Sequence, residues 1–258
     1  MDLGLTGRRA LVFGSSSGLG RAIAEALAAE GARVAVSGRR SERAVAVAAA
    51  VPGAIAVSGD LRDDGAPASI VDEAASRLGG LDILVMNTGG ARPGGMLDVT
   101  PDDEDDAYRA TLRPPLAATR AAIPHLRQGH TGAARIVYIT ARSVVETSPD
   151  LALSGVFRSG VAAAARSLAV ELAPDVLVNV VVPGQFDTPA LGRFEASLAD
   201  REGTTPDVVR RRHVDAIPLG RTGRAAELGA VVAFLCSARA SYVTGTVVRV
   251  DGGSVLGY

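Results

Sequence analysis

Seven short apolar runs, at residues 9–13, 33–37, 54–58, 83–86, 135–140, 176–182 and 247–250, alternate along the chain with longer segments of helical period. The runs are continuously apolar and do not alternate in and out, the pattern of strands buried on both faces. Helical period holds over 21–30, 69–78, 105–127 and 153–172. Strand and helix in turn predict an α/β fold: a single doubly wound domain over 1–258, with a parallel seven-stranded sheet and helices on both faces. In such a sheet, ligands bind beyond the carboxyl ends of the strands.

Three places break the pattern. Residues 187–217 are polar and lack strand character, which suits a lid over a substrate site. Pro114 and Pro115 interrupt a helical segment and are expected to kink it or split it in two. Gly155 and Gly160 sit inside the 153–172 segment, where each costs about 1 kcal/mol relative to alanine. A helix that tolerates both is expected to pack closely against another helix or a ligand.

Composition narrows the function classes. The chain has 258 residues, a net charge of −1 and 47% hydrophobic residues, enough for one large core. No apolar run approaches the roughly 18 residues of a membrane span, and the first residues carry no secretory pattern, so a cytoplasmic protein that contacts no membrane is expected. Arg210, Arg211 and Arg212 form the longest basic run, too short to suggest nucleic-acid binding. The acids from Asp102 to Asp106 follow Thr100 and Pro101 and read as a helix start, with no metal site expected. His125 and His130 flank a helix end, while His213 falls in the lid segment. Cys236 lies in an apolar stretch and reads as a buried core thiol. All 27 basic residues are arginine, and lysine is absent.

The first apolar run leads into Gly14-Ser15-Ser16-Ser17-Gly18-Leu19-Gly20 and then a helix. Glycines permit the tight turn and the close approach of backbone to a pyrophosphate, which the helix N-terminus receives with unpaired N–H groups. The second run ends in Ser37-Gly38-Arg39-Arg40. An acidic residue there would bind the adenosine ribose of NAD and repel a 2′-phosphate. Glycine leaves room instead, and Arg39 offers forked donors to a phosphate. Arg40 reads equally as a surface charge. NADP(H) is therefore the expected cofactor.

Through these and further residues the whole chain resembles the short-chain dehydrogenase/reductase family, and within it the 3-oxoacyl-ACP reductase-like proteins. The spacing of Gly14, Gly18 and Gly20 is the family's glycine motif, with Ser16, Ser17 and Leu19 between them. Asp60 and Leu61 resemble its adenine-contacting pair, and Asn87 and Gly89 stand in its Asn-Asn-Ala-Gly segment. Asn179, Pro183, Gly184 and Thr188 match the stretch that lines the nicotinamide. Residues 242–253 match its C-terminal signature. The resemblance implies a Rossmann fold, a small-molecule substrate, and a homodimer or homotetramer formed through two long helices and the C-terminal strand.

The resemblance also implies an Asn-Ser-Tyr-Lys catalytic set, and this chain departs from it. Aligned from the segments at 166–174 and 121–125, the tyrosine position falls on Ser154 and the lysine position on Arg158. The serine position falls on Ala141 and the asparagine position on Thr111. Tyr138 and Arg142 are also four apart, but on a strand, where that spacing separates them by about 13 Å. Ser154 and Arg158, four apart on a helix, share a face. Arg158 could hold ribose hydroxyls and a positive field, with a pKa expected to stay above about 12. Thr140, Arg142 and Ser143 are further polar candidates.

A positioned general acid contributes about 3–5 kcal/mol and attack geometry about 7–11 kcal/mol, so losing the tyrosine slows hydride transfer without abolishing it. Three functions stay open at this point. One is an atypical NADPH-dependent reductase of a carbonyl or activated alkene, on a small or polyketide/acyl-type substrate. The second is a non-redox lyase, isomerase or cyclase using the same cleft. The third is a catalytically inactive NADP(H)-binding subunit.

Overall fold

The computed structural model describes residues 2–128, 132–147 and 149–256. The chain winds β1 (Arg9–Val12), α1 (Gly18–Ala29), β2 (Arg33–Gly38), α2 (Ser41–Ala50), β3 (Ile55–Ser58), α3 (Ala66–Leu78) and β4 (Ile83–Asn87). It continues through α4 (Pro101–Ala107), a π-helical turn (Tyr108–Leu112), α5 (Arg113–Arg127), β5 (Ala134–Ile139), α6 (Ala152–Glu171) and β6 (Val176–Pro183). Then come α7 (Pro189–Glu202), α8 (Pro206–Asp215), α9 (Ala225–Cys236) and β7 (Val247–Val250). The seven strands form one all-parallel sheet in the order β3-β2-β1-β4-β5-β6-β7, the doubly wound architecture the periodicity predicts. Its order reverses between β1 and β4, the place where such sheets open a ligand crevice.

Burial on both faces explains the continuously apolar strands. Leu11, Ile136 and Tyr138 join one core with α3, α5 and α6. Their neighbours Ala10, Val12 and Val137 join the other core with α1, α2 and α9. At the amino ends of the central strands β1 and β4, away from the crevice, Asp82 is 1% exposed and receives Arg9 as a fork. Arg9 Nε donates to Oδ2 at 2.8 Å and Nη2 to Oδ1 at 2.9 Å. Paired with arginine, the carboxyl is held down at about 2 despite its burial.

The interruptions in the pattern have physical outcomes. Pro114 and Pro115 open α5 directly after the π-helical turn, and the chain stays helical from α4 through α5, so the prolines mark a change of helical winding and not a break. The Cβ that Gly160 lacks would stand 3.3 Å from Leu112 of that turn, so the glycine lets α6 approach it. Gly155 faces the backbone of Ser143 instead, at 3.5 Å. The acidic run opens α4 with a capping box: Thr100 Oγ1 accepts from the Asp103 N–H, and Asp103 Oδ2 accepts from the Thr100 N–H.

His125 pairs with Asp72 at 3.0 Å near the end of α5, and His130 lies outside the described residues. Cys236 is buried, and desolvation pushes its thiol up to about 12. Among the described residues no helix is long and apolar enough to cross a membrane, and no group of three or more His, Cys, Asp or Glu is gathered to hold a metal ion.

Candidate active site and cofactor cleft

A cleft of about 590 Å³ opens along the carboxyl ends of the strands. Its floor is the glycine loop. Gly14 has φ +61°, and a Cβ there would stand 2.4 Å from the Asn87 carbonyl oxygen, so no other residue fits. Asn87 closes the crevice at the switch point, its Nδ2 donating to the Gly14 carbonyl at 3.2 Å. Ser15 is wholly buried and ties the loop to β2: its hydroxyl donates to the Val12 carbonyl and accepts the Ser37 N–H at 2.8 Å. Ser17 is the N-cap of α1 but makes no side-chain cap, and the first turn carries no acid. The helix therefore presents uncapped N–H groups and a bare hydroxyl to the cleft, an arrangement that suits an anion.

Of the residues expected to hold a cofactor, the cleft brings together Gly14, Ser16, Ser17, Gly18, Leu19, Arg39, Asp60, Leu61, Asn87, Gly89, Arg158 and Thr188. Gly20, Pro183 and Gly184 do not line it. Gly20 acts from behind, since a Cβ there would stand 2.3 Å from the Gly14 carbonyl oxygen. Gly184 packs against Asp251. Asn179 likewise faces away, its Nδ2 donating to the Val243 carbonyl at 2.9 Å to anchor the turn before β7.

Gly38 has its own steric reason. A Cβ at this position would meet the Ser16 side chain at 2.7 Å, so an acidic residue could stand there only if Ser16 moved. Around it the wall is cationic. Arg39, Arg40 and Arg43 line one end together with Arg62, and Asp60 is the single acid on the wall among the described residues, 3.6 Å from Arg39. Arg40 is exposed and stands at the rim of this wall. Arg43, Arg62 and Arg193 escaped the sequence reading. Arg43 is four residues beyond Arg39 across the start of α2, a spacing visible only once that helix is recognised.

The other end of the cleft is built around Arg158, which α6 buries to 8% exposure. Its Nη2 donates to the Gly89 carbonyl at 2.9 Å and its Nη1 to the Ile139 carbonyl at 3.3 Å, bridging the ends of β4 and β5. Its Nε is buried without a partner, and no carboxylate lies within ion-pair distance among the described residues. Desolvation pushes the guanidinium down to about 10, below the value of 12 or more expected from residue type, yet still charged at neutral pH.

One turn earlier, the Ser154 hydroxyl lies 3.1 Å from that of Ser143, and neither residue lines the cleft itself. Thr140 lines the cleft but its hydroxyl donates to the Val181 carbonyl at 3.1 Å. Ala141 adds no polar group. Thr111 does not reach the cleft: its hydroxyl donates back to the Ala107 carbonyl in the π-helical turn, and Ala110 forms the wall. Tyr138 points into the core between sheet and α5, bonded to the Thr119 hydroxyl at 2.6 Å and pushed up to about 12 by burial. Arg142 pairs with Glu146 at 2.9 Å.

The segment 187–217 folds into α7 and α8. Thr188 caps α7, accepting the Leu191 N–H at 3.3 Å, and α7 sets Pro189, Ala190 and Arg193 on the cleft wall facing the glycine loop. His213 turns away from the cleft, 3.2 Å from the buried Glu195 and stacked on Phe194.

This fold and this cleft have many counterparts. A family model described as enoyl-(acyl carrier protein) reductase matches residues 14–255. The 3-oxoacyl-[acyl-carrier-protein] reductase of Aquifex aeolicus is 33% identical over 98% of this chain and 99% of its own. Versicolorin reductase of Emericella nidulans is 31% identical over 97% and 96%. Among solved structures, the L-sorbose reductase of Gluconobacter frateurii, crystallised with NADPH and L-sorbose, superposes with a TM-score of 0.93 at 27% identity, covering all of both chains. The chain belongs to the short-chain dehydrogenase/reductase family of oxidoreductases.

Proposed function

We propose that this chain is an NADPH-dependent reductase of a carbonyl or activated alkene in a small or polyketide/acyl-type substrate, working without a tyrosine–lysine proton relay. One observation carries the reading: a cleft with six arginines and one acid on its wall, ending in a buried guanidinium that has no counter-ion among the described residues. Anionic groups compensate such a wall best, and NADPH brings both a diphosphate and a 2′-phosphate. The reductases named above, one of them crystallised with NADPH, support the same assignment.

The chain's residues divide the work. Gly14, Ser16, Ser17, Gly18 and Leu19 cradle the diphosphate. Arg39 receives the 2′-phosphate, Asp60 and Leu61 the adenine, and Asn87, Gly89 and Thr188 the nicotinamide half. When bound, NADPH supplies the hydride. Arg158 faces negative charge developing on the acceptor. At 4 Å, a unit charge gains about 4 kcal/mol from it at an effective dielectric of about 20. The Ser143–Ser154 hydroxyl pair can orient the acceptor and relay a proton from water. The 187–217 segment acts as a lid that shapes the substrate pocket, and two or four copies of the chain assemble into the working enzyme.

The test is NADPH oxidation against a panel of ketones, β-ketothioesters and conjugated enones. Turnover on at least one class is expected, and Ser154→Ala is expected to slow it about tenfold or more. NADPH binding without turnover on any member would favour the inactive-subunit reading, and product formation without NADPH consumption would favour a non-redox reaction.

A further inference from the structure

The lid helices carry five arginines, Arg193, Arg201, Arg210, Arg211 and Arg212. Three of them are spoken for. Arg201 pairs with Asp150, Arg210 with Asp187, and Arg212 with Glu202. Arg193 makes no ion pair among the described residues, and it alone of the five lines the cleft. It lies one and a half turns into α7, past the Thr188 cap, on the wall that faces Ser16, Ser17, Gly18 and Leu19. The two walls are close there: a Cβ on Gly18 would stand 3.7 Å from Thr188. Arg193 is thus set across from the uncapped first turn of α1, away from the Arg39 end of the cleft.

We propose that Arg193 is the residue through which α7 grips the diphosphate bridge of the nicotinamide cofactor. The inference rests on the assignment of the cleft to NADPH. It adds a division of labour between arginines. Arg39 reads the 2′-phosphate, which only NADPH carries, while Arg193 reads the diphosphate, which NADPH and NADH share. An exposed arginine on a flexible stem meets a phosphate as a charge-assisted hydrogen bond and loses it on truncation.

The division is measurable without turnover. Equilibrium titrations of NADPH and of NADH, followed by nicotinamide fluorescence, are made on the unmodified chain, Arg193→Ala, Arg193→Lys and Arg39→Ala. Arg193→Ala is expected to raise both dissociation constants by the same factor, about tenfold, and Arg193→Lys to recover part of that loss. Arg39→Ala is expected to weaken NADPH alone. Unchanged affinities in Arg193→Ala, beside a selective loss in Arg39→Ala, would overturn the grip while leaving the cofactor assignment standing. A loss confined to NADPH in Arg193→Ala would also overturn it and make Arg193 a second 2′-phosphate reader. Failure of the unmodified chain to bind either nucleotide would remove the assignment and this inference together.

Discussion

Arg158→Met is expected to lower turnover by about 10²–10³-fold while leaving the protein as stable as before or more so. The two halves have one cause. Arg158 is nearly fully buried, has no carboxylate partner among the described residues and keeps its Nε unbonded, so the fold bears a desolvation cost that two carbonyl hydrogen bonds only partly relieve. Methionine fills similar volume without the charge. In the proposed mechanism chemistry loses what the fold gains, because a fixed, buried cation beside the acceptor is worth several kcal/mol to developing negative charge. Thermal melting and single-turnover hydride transfer check the two halves separately. A variant that melts much lower would show Arg158 to be a structural strut, and one with intact turnover would remove it from the mechanism.

Asp82→Asn is expected to destabilise the protein by about 3–5 kcal/mol, the cost of leaving a buried charge without its partner. Arg9 is 7% exposed and would keep its guanidinium beside an amide that cannot return the charge. The same pair predicts an acid limb. The Asp82 carboxyl falls from 3.8 to about 2 on folding, so its contribution is complete above pH 3.8 and is lost as pH drops toward 2. That contribution is about 2 kcal/mol. Urea unfolding of both proteins at pH 7 and near pH 2.5 should show a difference that narrows in acid; a constant difference would mean that the loss is one of packing and not of charge.

How far the residues themselves revealed this molecule depends on the range of the interaction concerned. All seven strands were legible, because burial on both faces leaves an uninterrupted apolar run such as that at Val176–Pro183. The glycine loop was legible because steric demand at Gly14 and Gly20 admits no other residue. The short helix α2 escaped, since its alanine-rich turn bears little polar contrast. So did Arg43, Arg62 and Arg193, because an isolated arginine has no local signature and gains meaning only from the wall it joins. Alignment placed Thr111 at a catalytic position, but the π-helical turn spends its hydroxyl on Ala107 and presents Ala110. The Ser143–Ser154 contact joins a short turn after β5 to the first turn of α6, a meeting that spacing along the chain does not encode.

In the proposed assignment the cleft takes NADPH, with Gly38 and Arg39 reading the 2′-phosphate. Fluorescence titration of the unmodified chain with NADPH and with NADH tests it most directly. Saturable binding is expected, with NADPH at least about tenfold tighter than NADH, a preference that added salt should erode. Equal affinity, a preference for NADH, or binding of neither nucleotide would rule out a 2′-phosphate site at Arg39.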